Sequence, residues 1–425
     1  MLLKFACSNY KSILEKVEFS FVAGPDDTFA EKLIPYGISK VSRASVIYGA
    51  NGSGKSNFIS SLLFMKNLVK NSITNQPGQR IFQAPHKLAT ANEPSEFSIQ
   101  FVRAGIRYAY GFSIVEHFVA DEYLYYFPER RKVKIFDRKG LHITPGSRYK
   151  KDFEVSLGVL KENRLFLSCA ANYTNLKEIE AAFLFFSDEI VGYNRHMNNW
   201  MEYSINLMQK SPESKALFLK LLHEFRTGIE DIDVKLEKAK MNVHDVPPVF
   251  SEEIRAMLAE SAHKVETKIK YKEFETDLMT EESDGIKKLF ELLCPIIDIL
   301  QHDKILICDE LEIGLHETLV YKIVEMFQNA KPEKNAQLLF TTHDTSILRM
   351  NLFRRDQIWF TQQTKGRATD LYSLLEIRNV RKSENIEKGY ISGKYGAIPM
   401  FNPGFIESFM KETEKPTLPK PLQGE

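Results

Sequence analysis

The stretch SVIYGANGSGKSNFI, residues 45–59, constrains what this chain can fold into more than any other. Apolar Val46 and Ile47 lead into Gly49-x-x-x-x-Gly54-Lys55-Ser56, and Phe58, Ile59, Leu62, Leu63 and Met65 follow at helical spacing. Strand, glycine-rich bend and amphipathic helix in that order make a P-loop. In such a loop backbone N–H groups cradle phosphates, the lysine reaches the outer phosphates and the serine hydroxyl binds Mg²⁺. The expected nucleotide contacts are Asn51, Gly52, Ser53, Gly54, Lys55, Ser56 and Asn57, with Ser56 also a metal ligand.

Of the 425 residues 43% are hydrophobic, enough for one large core or two. The formal net charge of +1 predicts no chain-wide basic face, so nucleic-acid contact, if present, must be local. Cys7, Cys169, Cys294 and Cys308 lie in apolar runs without a CxxC pair and read as core thiols of a reducing compartment. The N-terminal MLLKFACSNYKS lacks an apolar stretch of signal-peptide length, and no run approaches a membrane span. The expectation is a cytoplasmic protein with no membrane association.

The first 22 residues alternate apolar and polar, which predicts two strands. Residues 95–137 repeat that habit with Gly, Asp and Pro at the breaks, the pattern of an antiparallel meander. After about residue 173 the period turns helical. SPESKALFLKLLHEFRTG begins with Ser211 as N-cap and Pro212 in the first turn, and stops at Gly228. The segment 173–264 carries no long heptad run and reads as a compact helical lid, while strand alternation returns at KVETKIKYKEFETDL. The expected division is an ATPase head in two parts, 1–172 and 265–412, a lid over 173–264 and a Pro-rich disordered tail over 413–425.

Two further strand ends supply chemistry. In KILICDELE, residues 304–312, four apolar residues deliver Asp309 and Glu310, the first suited to Mg²⁺ and the second to polarising an attacking water. In LLFTTHDTSIL, residues 338–348, an apolar strand ends at His343, whose imidazole can hydrogen-bond a terminal phosphate and sense its loss. The run ERRKVKIFDRK carries six basic residues on an expected hairpin, where lysine and arginine also serve to block edge pairing.

The order of P-loop, Asp-Glu strand and His strand resembles the ATP-binding-cassette class of P-loop ATPases, specifically its RecF- and SMC-like branch, which favours the form GANGSGKSN. The resemblance implies a signature turn at TEESDGIKKLFELL, with Ser283 and Gly285 facing the nucleotide of an opposite subunit, and a D-loop at Gly314-Leu315-His316, where His316 replaces the usual aspartate. It offers Ser168 or Asn172, with Gln83 and Gln100 as further candidates, for the glutamine that the class places beside the metal.

Over nearly the whole chain the sequence also resembles the RloA-like ATPases of abortive-infection and restriction loci, through SNYKSI, GANGSGKSN, EPSEFSIQF, YAYGFSI, ENRLFLS, ESDGIKKLF, CDELEIGLH, FTTHD, FRRDQIWF and YGAIP. These resemblances imply an α/β ABC-type head with an antiparallel β meander and an inserted helical lid. They imply a Mg²⁺-dependent ATPase acting as a homodimer or higher oligomer through an ATP sandwich. They also imply a sensor or scaffold in antiphage defence beside a co-encoded RloB-like or nuclease-like effector. The alternative is a RecF/SMC-like protein that clamps DNA in repair or maintenance.

Overall fold

The N-terminal alternation folds as β1 (Leu2–Ser8) and β2 (Val17–Ser20), paired antiparallel with Phe5 opposite Phe19. A small hairpin, β3 (Ile34–Tyr36) with β4 (Ser39–Val41), precedes β5 (Ala44–Gly49), whose six residues are all buried. The P-loop helix, Lys55–Asn71, follows. The meander is β6 (Ser95–Arg103), β7 (Ile106–Val115), β8 (Phe118–Phe127), β9 (Val133–Lys139) and β10 (His142–Pro145). These strands and the N-terminal pair form a seven-stranded antiparallel sheet in the order β10-β9-β8-β7-β6-β1-β2. The computed structural model describes residues 1–90, 92–193, 200–238, 263–349, 352–364, 366–381, 384–399 and 404–413.

Beyond the meander come β11 (Ile190–Tyr193), β12 (Asp231–Lys238), β13 (His263–Lys270), β14 (Glu275–Asp277), β15 (Ile305–Cys308), β16 (Gln337–Thr341), β17 (Ile358–Gln363) and β18 (Thr369–Ser373). The second large sheet runs β11-β15-β16-β5-β17-β18, parallel throughout except for β18. Its central strands read as unbroken apolar runs because both faces are covered. Ile305, Ile307 and Leu339 point into the core that holds Phe58, Ile59, Leu62 and Met65 of the P-loop helix and the phenylalanines of the antiparallel sheet. The alternate residues Leu306, Cys308, Leu338 and Phe340 pack on the opposite face against helices Asp284–Gln301 and Glu317–Gln328. The P-loop helix therefore lies between two sheets, and the layout is the α/β ABC-type head expected from the sequence.

Inside the span expected to be helical, helices Lys177–Leu184, Trp200–Lys210 and Pro212–Glu224 form, the last capped by Ser211, whose side chain accepts the Ser214 N–H. Two parts of that span are strand. Ile190–Tyr193 is a short apolar run long enough for a sheet edge and no longer, and pairs with β15. DIDVKLEK alternates with period two and pairs as β12 with β13 across the expected boundary at 264. Residues 239–262 of the span, and residues 414–425 of the expected tail, lie outside the described residues.

Helix Asp284–Gln301 is shared by two cores. Leu292, Ile296 and Ile299 face the parallel sheet, while Leu289, Phe290, Leu293 and Ile297 face Phe218 and Leu222 of helix Pro212–Glu224, Ile232 of β12 and Ile269 of β13. A displacement of this helix must therefore move both cores. The four cysteines are buried free thiols, and burial pushes that of Cys7 up to about 12. No helix among the described residues is long and apolar enough to cross a membrane.

Candidate nucleotide site

The bend after β5 is possible because Gly52 (φ +78°) and Gly54 (φ +111°) occupy the left-handed region. Gly54 caps the helix with no side-chain bond, which leaves the first N–H groups of Lys55–Asn71 to the ligand cradle. The loop is clamped from its flank. Ser53 Oγ shares a hydrogen bond with Thr361 Oγ1 of β17 at 2.6 Å, and Thr369 Oγ1 of β18 donates to Ser53 O at 3.0 Å. A Cβ on Gly49 would collide with Thr361, and one on Gly54 with Thr369. Asn51, Gly52 and Ser56 are exposed at the mouth, while Ser53 and Lys55 are buried.

Lys55 Nζ donates to the loop's own carbonyls, Gly49 O at 2.8 Å and Ala50 O at 3.3 Å. Burial lowers its pKa below the ordinary lysine value and outweighs the carboxylates of Asp309, Glu310 and Glu312, which raise it. Asn57 Nδ2 donates to Ser12 Oγ at 2.7 Å, and Ser12 Oγ pairs with Thr369 Oγ1 at 2.7 Å. That chain of bonds seats the segment SNYKS against the loop, with Lys11 Nζ donating to Ser60 Oγ at 2.7 Å.

Asp309 and Glu310 leave the end of β15 beside the end of β16. Thr341 Oγ1 donates to Asp309 Oδ1 at 2.6 Å and accepts the Glu310 N–H at 2.8 Å, so one hydroxyl orients both acids. Glu310 sits at φ +53°, a strained backbone for a residue with a Cβ and one that re-aims its carboxylate. Its Oε1 lies 3.7 Å from His343 Nε2, with both side chains more than a third exposed. The His343 N–H donates to Glu312 Oε1 at 2.6 Å, and Tyr48 OH donates to Asp344 O at 2.9 Å. P-loop, Asp309, Glu310 and His343 thus meet at the C-terminal edge of β5, β15 and β16.

A family profile described as an AAA domain, putative AbiEii toxin, of a type IV TA system matches residues 44–155 and 198–349, which include the P-loop, Asp309, Glu310 and His343. The chain belongs to this AAA-domain family. No curated protein matches it at the sequence level. Among solved structures, this AAA-domain chain is similar to an SMC head bound to the C-winged helix domain of ScpA, at 13% identity over 88% of this chain and 97% of that one, TM-score 0.45. It is also similar to the SMC head domain from Thermotoga maritima (14%, 88% and 98%, TM-score 0.41). A third is an SMC head with an extended coiled coil, bound to the C-terminal domain of ScpA and derived from Pyrococcus furiosus (12%, 93% and 98%, TM-score 0.40).

The remaining sequence candidates of this AAA-domain protein fall elsewhere. Ser283 is the exposed N-cap of helix Asp284–Gln301 and accepts the Ile286 N–H at 3.3 Å, and a Cβ on Gly285 would face Gly314 O at 3.6 Å, not the P-loop. His316 caps helix Glu317–Gln328, its Nδ1 accepting the Thr318 N–H at 3.3 Å where the resemblance leads one to expect aspartate. Ser168 is buried and donates to Val69 O at 2.6 Å, and Asn172 donates to Ser168 O at 2.8 Å, so both are engaged in local structure.

Of the basic run, Arg138 is buried against Glu122, Lys134 pairs with Asp137 at 3.2 Å and Lys132 lies 3.8 Å over the Tyr125 ring. The hairpin spends these three cations internally. Within FRRDQIWF, Arg354 is buried between Asp356 and the carbonyls of Gly24 and Thr28. Sequence reading missed Ser12, Thr361, Thr369 and Glu312 as site residues; for Ser12 the quoted SNYKSI was the available signal.

Proposed function

We propose that this chain binds and hydrolyses ATP, and that the single observation carrying the reading is the meeting of Glu310 and His343 at the mouth of the P-loop. The chemistry is attack of water on the γ-phosphate. Glu310, aimed by its left-handed backbone, accepts the water's proton; Lys55 leaves the loop carbonyls for the β and γ phosphates; His343 contacts the γ-phosphate. The residues fit Mg²⁺: Ser56 offers an exposed hydroxyl in the helix's first turn, and Asp309 is oriented by Thr341. A sparse protein ligand set suits an ion that keeps waters and leans on substrate phosphates, and among the described residues no group of three or more ligating side chains gathers. When bound, Mg²⁺ supplies charge neutralisation at the β and γ oxygens.

The dimeric reading rests on Ser283 and Gly285. They stand exposed or half-exposed at a helix N-terminus whose bonds stay within its own helix, available to a nucleotide held by a second copy. Helices Trp200–Lys210 and Pro212–Glu224 and β12 of the expected lid, with β13 beyond its boundary, pack on that same helix, so closure of the sandwich moves the lid. A sensor or scaffold in antiphage defence accords with the description of the family to which the chain belongs; the further parts of the proposal are a cytoplasmic location and a co-encoded effector docked on the lid or the meander edge. The DNA-clamping alternative finds less support in a hairpin whose cations are partly spent internally.

Three measurements test the reading. ATP turnover with Mg²⁺ should be present in the wild type and lost in Glu310→Gln, which should accumulate as a dimer in light scattering with ATP, while Ser283→Arg stays monomeric. Equal masses for the two variants would remove the sandwich. Phage challenge of cells carrying this gene with and without its neighbours tests the defence role, and protection by this chain alone would remove the effector.

A further inference from the structure

Between Glu310 and the cap at His316 the chain makes a tight turn in which Ile313 N–H donates to Glu310 O at 3.2 Å and Leu315 N–H to Glu312 O at 2.9 Å, closed by Gly314 at φ +78°. Glu312 stands in the middle of it. One carboxylate oxygen, Oε1, accepts the His343 backbone N–H at 2.6 Å. The other, Oε2, is buried without a hydrogen-bond partner. Thr341, two residues earlier, also meets this turn, its carbonyl accepting the Leu311 N–H at 3.2 Å and its hydroxyl the Glu310 N–H at 2.8 Å, whereas Thr342 N–H to Ile47 O, Asp344 N–H to Thr342 Oγ1 and Tyr48 OH to Asp344 O run elsewhere and leave Glu312 to hold His343 itself. The Glu312 bond is thus a direct tie between the backbone of His343 and the turn that follows the two acids. The turn also abuts the Ser283-capped helix, since Gly314 O is what a Cβ on Gly285 would meet.

We propose that Glu312 is a positioning residue for the hydrolytic site, fixing the backbone of His343 to the Glu310–Leu315 turn so that the imidazole and the Glu310 carboxylate share one rigid frame. This rests on the ATPase reading for its kinetic consequence, though not for the anchor itself. A carboxylate accepting a backbone N–H makes a stronger bond than a neutral acceptor. The tie costs a buried oxygen left unpaired, which is the kind of local expense that functional sites carry. Through Gly314 the same frame touches the signature helix, so movement of that helix by a second copy's nucleotide has a short mechanical route to His343. Glu312 itself touches no reacting atom in this scheme.

The test compares Glu312→Ala with Glu312→Gln, since the amide oxygen of glutamine still accepts the His343 N–H. Steady-state turnover should fall about tenfold or more in Glu312→Ala with KM for ATP changed less than about threefold, and Glu312→Gln should recover to within about threefold of wild type. Hydrogen–deuterium exchange across residues 341–346 should quicken in Glu312→Ala and stay protected in Glu312→Gln, and melting temperature verifies that both variants are folded. Unchanged turnover in Glu312→Ala, a rise in KM alone, or a loss in Glu312→Gln equal to that in Glu312→Ala would each overturn the assignment. A wild type without turnover would defeat the ATPase reading and leave the exchange arm to decide the anchor: equal protection in both variants overturns it.

Discussion

At Glu122, on β8, a carboxylate that is 1% exposed accepts the N–H groups of Phe166 and Leu167 at 2.6 and 2.9 Å, the Tyr110 hydroxyl at 2.9 Å and the guanidinium of Arg138 at 3.2 Å. At Glu310 a carboxylate whose side chain is 38% exposed has its backbone N–H held by Thr341 and its head 3.7 Å from one exposed imidazole. The first has its hydrogen-bonding capacity filled from within and joins the meander to helix Phe166–Tyr173. The second is oriented by bonds to its backbone, which leaves the charged head for something that arrives. Glu122 and Glu310 are told apart by where their bonds end: on the carboxylate oxygens of the first, on the backbone of the second.

The largest break of the comparison is expected at the loop itself. Lys55→Ala removes the point charge that the N–H cradle cannot replace, and ATP binding measured by calorimetry should fall below detection. Because Lys55 now bonds only loop carbonyls, folding should survive, and a wild-type affinity in the variant would show that the nucleotide binds elsewhere.

Next in size is the architectural cluster. Glu122→Ala leaves the Arg138 guanidinium buried beside the carbonyls of Gly140, Lys161 and Arg164, and should cost about 3–5 kcal/mol in urea unfolding. Replacing both partners by apolar residues should recover much of that loss, since no unpaired charge is left behind. Glu310→Gln reverses the profile: turnover should drop about 100-fold, near 2.7 kcal/mol of barrier, with unfolding free energy unchanged within about 0.5 kcal/mol. If Glu310→Gln were as destabilising as Glu122→Ala, the distinction drawn above would fail.

How far the sequence disclosed this arrangement follows the same divide. β5, β15 and β16 are short, largely apolar runs leading to Gly49, Asp309-Glu310 and His343, the pattern of strands buried on both faces, and their parallel pairing gathers those ends at one edge. The clamp was hidden because Thr361 and Thr369 are ordinary strand threonines, and only the pairing of β17 with β5, and of β18 with β17, brings them to Ser53. Ser12 meets Asn57 across 45 positions, a contact no local pattern encodes. β11 was masked by the helices around it, being four residues long and paired only with β15. Glu312 looked like one more acid in an acidic run until the fold laid it under the backbone of His343.

The smallest effect is expected at Asp26, where a third charge cluster tests the rule at a loop. Asp26 Oδ1 accepts the Thr28 N–H and hydroxyl at 3.0 and 2.7 Å, and Oδ2 accepts Arg355 Nε at 3.0 Å. Burial alone would raise its pKa, but these bonds and the Arg355 charge outweigh it and hold the carboxyl below its usual range. A depressed folded-state value means that the stabilisation is fully present above the unfolded value of about 3.9 and is lost as pH falls through the folded one. Asp26→Asn should therefore cost on the order of 1–2 kcal/mol from pH 5 to 8, with the gap to wild type narrowing below about pH 4. ATP turnover at pH 7 should not change, because the Thr28 and Arg355 bonds that hold the Asp26 carboxylate lie away from Lys55, Asp309, Glu310 and His343. A stability gap that persisted undiminished at pH 2 would show that the asparagine loses shape complementarity and not charge, and would place this corner outside the rule.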